Sequence, residues 1–342
     1  MTQVYNYLPI DQISVGEKSI EGISSLIGKE WLKDTVLLTS NSVSQSSFFK
    51  RATEVFADSL VFHNISQHSP VEEIDSVVNE IRDKSVKFIL SIGGGSVMDS
   101  AKVVRSKINP EIPQIAVPTT LSAAEFSHIA GYSENGEKKG IRGKKLVPRY
   151  IFLDPNATLE TPTTLWRSTG IRSIDHAIEA TLGEGFLELR KSFSKLSVEK
   201  MMGNLEGNWT DMRQECQIAS WYSYIDVYDS PMGYSHQIGK LMGVKWNIPH
   251  GMTSCITLPA MLRYYSSSPP KGLAKLAISI TGENDETKSI KALADKIGSF
   301  IKELGLERKL SDYGIKQEDL SYIAAKVGQQ DEAFIECLNE IL

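Results

Sequence analysis

The sequence predicts an α/β protein in two parts, a doubly wound parallel sheet over residues 1–155 and an all-helical domain over residues 156–342. Three observations predict it. At 342 residues the chain exceeds the roughly 250–300 at which one hydrophobic core stops growing. Its first half alternates short apolar runs with amphipathic stretches, a rhythm that builds parallel strands joined by crossover helices. After Leu153-Asp154-Pro155-Asn156, strand-like runs become scarce and apolar residues recur at three- and four-residue spacing.

Taken in order, Val36-Leu37-Leu38 is the first clear strand, followed by a Ser- and Asn-rich turn and an amphipathic stretch from Ser47 to Ala57. Leu60-Val61-Phe62 is a second strand. Val71 to Lys84 places Val71, Ile74, Val77, Val78 and Ile81 on one helical face, and Val86 to Ile92 is a third strand. Ile115-Ala116-Val117 ends in Pro118-Thr119-Thr120. Ile290–Leu304 and Leu320–Leu342 carry the helical spacing of the second half.

Composition excludes several classes. The chain is 41% hydrophobic and 23% charged, with a net charge of -5 and basic residues interspersed with acids, so no phosphate-backbone partner is expected. No stretch reaches the roughly 18 apolar residues of a membrane span, and the N-terminus has neither a basic nor an apolar leader segment, so the expected compartment is the cytoplasm. Cys216, Cys255 and Cys337 are odd in number and widely spaced, which suits buried small hydrophobes better than disulfides or thiolate ligands.

The strongest local signal is Gly93-Gly94-Gly95-Ser96-Val97-Met98-Asp99, directly after a strand and opening a helix. Glycines let backbone N–H groups approach an anion, and the helix start favours phosphate oxygens, so Gly93, Gly94, Gly95, Ser96 and Asp99 are read as a pyrophosphate cradle. The structural alternative is a plain turn in which Ser96 and Asp99 form a capping box. Thr119 and Thr120, at the end of a later strand, offer hydroxyls to a ribose or phosphate. In the helical half, His176, His236 and His250 are candidates for a catalytic cluster or a metal site, against the plainer reading of satisfied core histidines. His63, His68 and His128 have less support, His128 alone being a possible substrate contact.

These motifs, in order, resemble the iron-containing alcohol dehydrogenase family: Gly93 to Lys102, Pro118-Thr119-Thr120 with Glu125 after it, Leu153-Asp154-Pro155, Gly170 through His176-Ala177-Ile178-Glu179-Ala180, and His236 fourteen residues before His250. The segment from Pro118 to Phe126, with Ala130-Gly131-Tyr132 and Pro148-Arg149, is most similar to the maleylacetate reductase branch. The resemblance implies a Rossmann-like cofactor domain, NAD or NADP in the cleft, a small carbonyl or alcohol substrate, possibly carboxylate-bearing, and a homodimer. Metal-dependent members bind iron or zinc through three histidines and an aspartate four residues before the first of them. Here that position is Arg172, a permanent cation that cannot be a ligand, so no catalytic metal is expected. Asp175 faces about 60 degrees away from Arg172 on a helix and is no obvious substitute.

Arg172 is therefore expected to stabilise the oxyanion formed on hydride addition, with one of His176, His236 or His250 supplying the proton. The alternative is that Arg172 points away and pairs with Asp175 or a surface acid. Where many relatives carry an acid for the ribose 2′-hydroxyl, this chain has Thr39-Ser40-Asn41-Ser42, so Ser40 is a candidate cofactor contact and NAD is not distinguished from NADP. Lys50 and Arg51 are possible contacts of a 2′-phosphate. The basic run Lys138, Lys139, Arg142, Lys144 and Lys145 offers a field that draws an acidic substrate towards the cleft, but most of it is read as a mobile, solvated loop. Three other functions stay open: a metal-dependent alcohol dehydrogenase in which His176, His236 and His250 retain an ion despite Arg172, a cyclising lyase of the dehydroquinate synthase type, and a non-catalytic relative that retains nucleotide binding.

Overall fold

The structure is a computed structural model describing residues 5–183, 187–225 and 232–342. Two compact units emerge, one of residues 7–161 with 207–218, the other of residues 162–206 and 219–342 with the N-terminal stretch ending at Asn6. The sequence-based boundary at 155 and this division differ by a short 3-10 turn that packs with the sheet, and by a later helix that returns to it.

The sheet unit runs β1 (Gln12–Val15), α1 (Ser19–Ile27), β2 (Thr35–Leu38), α2 (Asn41–Ser44), α3 (Ser47–Val55), β3 (Leu60–Phe62), α4 (Val71–Ile81), β4 (Phe88–Gly93), α5 (Gly95–Ile108), β5 (Gln114–Pro118), β6 (Ile129–Glu134), β7 (Glu137–Arg142) and β8 (Tyr150–Leu153). Six strands form one parallel sheet in the order β1-β8-β5-β4-β2-β3. Side chains alternate across it. Leu37, Leu90, Ile92, Ile115 and Val117 pack with Ile20 and Ile23 of α1 and Phe48 and Phe49 of α3. Val36, Leu38 and Ile89 pack with Ile74, Val77 and Ile81 of α4 and Val97, Ala101 and Val104 of α5. With both faces covered, the central strands are apolar at nearly every position, which is why they read as continuous runs.

From β2 the chain moves outward to β3, then returns to β4 on the other side of β2 and proceeds to β5 and β8. The order reverses between β2 and β4, so the loops after these strands flank the crevice where doubly wound sheets bind ligands.

One element departs from the sequence reading. The basic run is no solvated loop: Glu137–Arg142 is β7, paired antiparallel with β6 through an Asn135-Gly136 turn whose φ angles are 53° and 76°. Lys139 pairs with Glu134 and Lys145 with Glu111, so two of the cations are locally neutralised. The stretch from Leu320 to Leu342 is helical as its spacing predicts, in two helices that break near Gly328 at φ 73°.

The helical unit contains α6 (Thr163–Glu179), α7 (Leu187–Asn204), α8 (Thr210–Ser223), α9 (Tyr234–Lys245), α10 (His250–Ser266), α11 (Lys271–Thr281), α12 (Glu286–Glu303), α13 (Gln317–Lys326) and α14 (Glu332–Glu340), the first part of α8 belonging to the sheet unit. α10 is buried nearly all round and packs on α6, α9 and α12. Among the described residues no helix is long and apolar enough to cross a membrane.

Candidate active site

In the sheet unit, the predicted cradle sits at the end of β4. Gly94 caps α5 with no side-chain hydrogen bond, leaving the first N–H groups of that helix open to an anion. None of Gly93, Gly94 and Gly95 has a positive φ, so their need for glycine comes from close approach instead. A Cβ on Gly93 would lie 2.7 Å from Val97 Cγ2, one on Gly94 3.1 Å from Thr120 Cγ2, and one on Gly95 3.2 Å from Ser122 Oγ. The loop after β5 therefore closes directly over the glycines, bringing Thr120 beside them, while the Thr119 N–H donates to Gly93 O at 2.9 Å. Ser96 and Asp99 do not form a capping box. The Ser96 hydroxyl accepts the His68 N–H at 3.1 Å, and Asp99 Oδ2 accepts the Gly131 N–H at 2.9 Å. His68 and Ser69 carry φ angles of 68° and 52°, a strained turn held by these bonds and by the Ser69 hydroxyl, which donates to Ser96 O.

After β2, the Thr39 hydroxyl donates to Ile92 O at 2.7 Å, and Ser40 caps α2 by accepting the Val43 N–H at 3.3 Å. The loops of β2 and β4 are thus bonded to each other at the reversal of strand order. His128 is buried, and its carbonyl accepts the Gly143 N–H at the base of the β6–β7 hairpin. Beneath the same loop, buried Lys102 donates to Ala124 O at 2.7 Å and Ile129 O at 2.9 Å. Glu125 is fully buried, and loss of water pushes its carboxyl up to about 7 despite the pull of Lys102.

In the helical unit, Arg172 and His176 lie one turn apart on α6, and His236 and His250 lie near the starts of α9 and α10. Arg172 is only 6% exposed and points inward, so a surface pairing is ruled out; its Nη2 donates to His236 Nε2 at 2.7 Å. Its Nη1 donates to Ser254 Oγ at 2.9 Å and Asp175 Oδ2 at 3.2 Å. The rings of His176 and His236 are 5.2 Å apart between centroids, and His176 meets Tyr224 edge-on at 5.3 Å. Burial, and then the Arg172 charge, hold both histidines well below the usual imidazole range. The two rings are consequently neutral at physiological pH, with Arg172 the cation bonded to His236. His250 and His176 add to the pressure on His236, and the His250 ring lies against Gly243, where a Cβ would come within 3.2 Å of it.

One residue of this site escaped the sequence reading. Glu179 is buried and accepts the Gly233 N–H at 3.1 Å and the His236 N–H at 3.3 Å, so a carboxyl from α6 caps the start of α9. Burial, then the nearby charge of Asp175, raises Glu179 well above the carboxylate range. A Cβ on Gly233 would lie 2.3 Å from Glu179 Oε1, so this cap requires glycine there. Asp175, set aside as a ligand and named as a partner of Arg172 only in the alternative reading, does pair with it, but inside the buried cluster and with Arg172 still directed at His236. Cys216, Cys255 and Cys337 are buried with their thiols pushed up by burial, which leaves them protonated and inert.

A sequence profile for "Iron-containing alcohol dehydrogenase" matches residues 11–155, and one for "Fe-containing alcohol dehydrogenase family, C-terminal" matches residues 167–336. The chain belongs to the iron-containing alcohol dehydrogenase family. Dehydrogenase ALT3 of Alternaria alternata is 26% identical, with 85% of this chain and 91% of the relative covered. A maleylacetate reductase of Sphingobium indicum is 24% identical over 95% of this chain and 90% of the relative. The crystal structure of maleylacetate reductase from a Rhizobium species superimposes with a TM-score of 0.84 at 23% identity, covering 100% of this chain and 98% of that one. The iron-containing alcohol dehydrogenase family is one of oxidoreductases, and membership implies NAD(P).

The cradle fits that cofactor: an uncapped helix start, glycines whose Cβ atoms would fill the space, and a position at the reversal of strand order. The histidine cluster does not fit the family's metal ion. Arginine only donates, so the His236 Nε2 lone pair that would bind the ion already accepts from Arg172. A guanidinium at that distance also opposes a second cation by roughly several kcal/mol. Among the described residues, no three His, Cys, Asp or Glu side chains are arranged to hold an ion.

Proposed function

We propose that this chain is an NAD(P)-dependent carbonyl reductase or alcohol dehydrogenase in which the Arg172 guanidinium takes the electrostatic role that a metal ion plays in other members of the family. The observation that carries this reading is the 2.7 Å contact between Arg172 Nη2 and His236 Nε2 within a buried cluster. Reduced NAD(P), held at Gly93–Gly95 with Thr119, Thr120 and Ser40 nearby, supplies the hydride when bound. As the carbonyl carbon accepts it, the C=O electron pair moves to oxygen, and the fixed charge of Arg172 stabilises the developing oxyanion. Burial keeps the site ready for this charge at little cost in reorganisation. The proton that completes the alcohol comes through His176 or His250, because His236 Nε2 has no proton to give while it accepts from Arg172.

The proposed substrate is a small carbonyl compound bearing a carboxylate, a reading supported by the relatives named maleylacetate reductase. A homodimer in the cytoplasm is proposed with it. The test is purification without added metal, elemental analysis, and NADH and NADPH oxidation against keto acids and aldehydes, with and without chelator. Metal-free, chelator-resistant net oxidation of the nucleotide supports the proposal and separates it from a lyase that uses NAD transiently. Stoichiometric iron or zinc with chelator-sensitive turnover overturns it.

A further inference from the structure

We infer that Asp175 is a positioning residue that aims the Arg172 guanidinium at His236 and thereby fixes which ring nitrogen of His236 carries the proton. The inference rests on the proposed role of Arg172 and adds to it the group that makes that role possible.

Asp175 is fully buried on α6. Its Oδ2 accepts from Arg172 Nη1 at 3.2 Å, from Ser254 Oγ at 2.6 Å and from Ser235 Oγ at 3.0 Å. Ser254 Oγ also accepts from Arg172 Nη1, which closes a triangle of carboxylate, hydroxyl and guanidinium. Ser235 and Thr257 exchange a hydroxyl hydrogen bond at 2.8 Å, and Thr257 donates to Thr253 O. A single carboxylate oxygen thus ties together α6, α9 and α10, the three helices that carry Arg172 and His176, His236, and His250.

The guanidinium is a rigid planar fork, so holding Nη1 against Asp175 and Ser254 sets the direction of Nη2. That direction ends on His236 Nε2, and because arginine has no acceptor, this nitrogen must be bare. Neutral His236 therefore carries its proton on Nδ1. Burying an ion pair generally brings no net stability over apolar residues of the same volume, so simple cohesion of the helices is a weak reason for this one. Orientation gives it a use.

The test is the ring ¹⁵N spectrum of histidine-labelled protein, assigned with His236→Gln, in wild type and in Asp175→Asn, alongside steady-state kinetics. In wild type, His236 should show an unprotonated Nε2 and a protonated Nδ1. In Asp175→Asn, the two signals should move towards averaged positions, and kcat should fall about 10- to 100-fold while the dissociation constant for NAD(P)H, read at the separate cradle, stays within about two-fold. Ser254→Ala removes one of the two acceptors of Nη1 and should give a smaller change in the same direction, which keeps the idea testable should Asp175→Asn not fold. A folded Asp175→Asn with wild-type His236 signals and kcat would overturn the inference, as would wild-type His236 protonated on Nε2. Both spectra are read without turnover, so absence of any reducible carbonyl would count against the proposed function and leave the tautomer result standing.

Discussion

Replacing Arg172 by Met removes the charge while keeping most of the side-chain volume, and the surroundings set what should follow. Asp175 and Ser254 lose their shared donor, and His236 Nε2 loses its partner. Breaking a buried ion pair from one side costs about 3–5 kcal/mol, and protonation of Asp175, already favoured by burial, should return part of that. The variant should therefore unfold at lower urea concentration with an unchanged m-value. Turnover should fall by about 10² to 10³, the usual loss for a group that stabilises developing oxyanion charge. A third signature is independent of activity: with the Arg172 charge gone, the pKa values of His176 and His236 should rise, though burial, the larger cause, still holds them low. Urea melts, single-turnover oxidation of NAD(P)H and NMR titration of the histidines read the three effects separately. A folded Arg172→Met with kcat within about three-fold of wild type would show that Arg172 is structural and that the chemistry lies elsewhere.

Further expectations concern the cradle and pH. Glu125 has a folded pKa of about 7 against an ordinary 4.5, so the folded state binds the extra proton between these values and stability should fall by about 3 kcal/mol as pH rises through that window. Glu125→Gln should flatten this slope in urea melts between pH 4.5 and 7. His176 and His236 act in the opposite sense, since their folded pKa values are depressed and the unfolded chain gains protons first. Stability should drop as pH falls below about 6.5, and less so in His176→Gln. Gly93→Ala places a Cβ against Val97 and should weaken NAD(P)H binding in a fluorescence titration, with partial recovery in Gly93→Ala/Val97→Ala; equal loss in both variants would place the fault elsewhere. Gly233→Ala should displace Glu179 from the start of α9 and lower the melting temperature, whereas an unchanged melting temperature would argue against the cap.

What could be read from the sequence depended on how local its cause was. β2, β3 and β4 are nearly continuous apolar runs because helices cover both sheet faces, and they were legible for that reason. β1 was not, being a four-residue edge strand with the mixed pattern Gln12-Ile13-Ser14-Val15. The β6–β7 hairpin carried a turn signal in Asn135-Gly136, but lysines and glutamates on β7 concealed its alternation. Arg172, His176, His236 and His250 were singled out as candidates because they fall at family spacings. Asp175 was set aside on helix geometry: its Cα direction does differ from that of Arg172, but the arginine side chain is long enough to reach back to it. Its other partners, Ser235 and Ser254, lie on helices far along the chain, and no local pattern links a carboxylate to a serine at such a distance.

The return of residues 207–218 to the sheet unit bears on how the protein is made. From this segment Arg213 donates to Thr158 O, Gln214 to Leu153 O and Gln217 to Asp154 O, capping the chain just beyond β8. When β8 leaves the ribosome, those carbonyls have only the backbone N–H groups of Gly16, Ala157 and Thr161 to bond, without the three later side chains, and the surface that buries Cys216 stands open. The sheet unit is therefore not complete until more than fifty further residues, including all of α6 and α7, have been synthesised. A fragment ending at residue 161 should behave as a folding intermediate that binds chaperones, and a protein divided there should regain a native sheet only when the second piece brings α8.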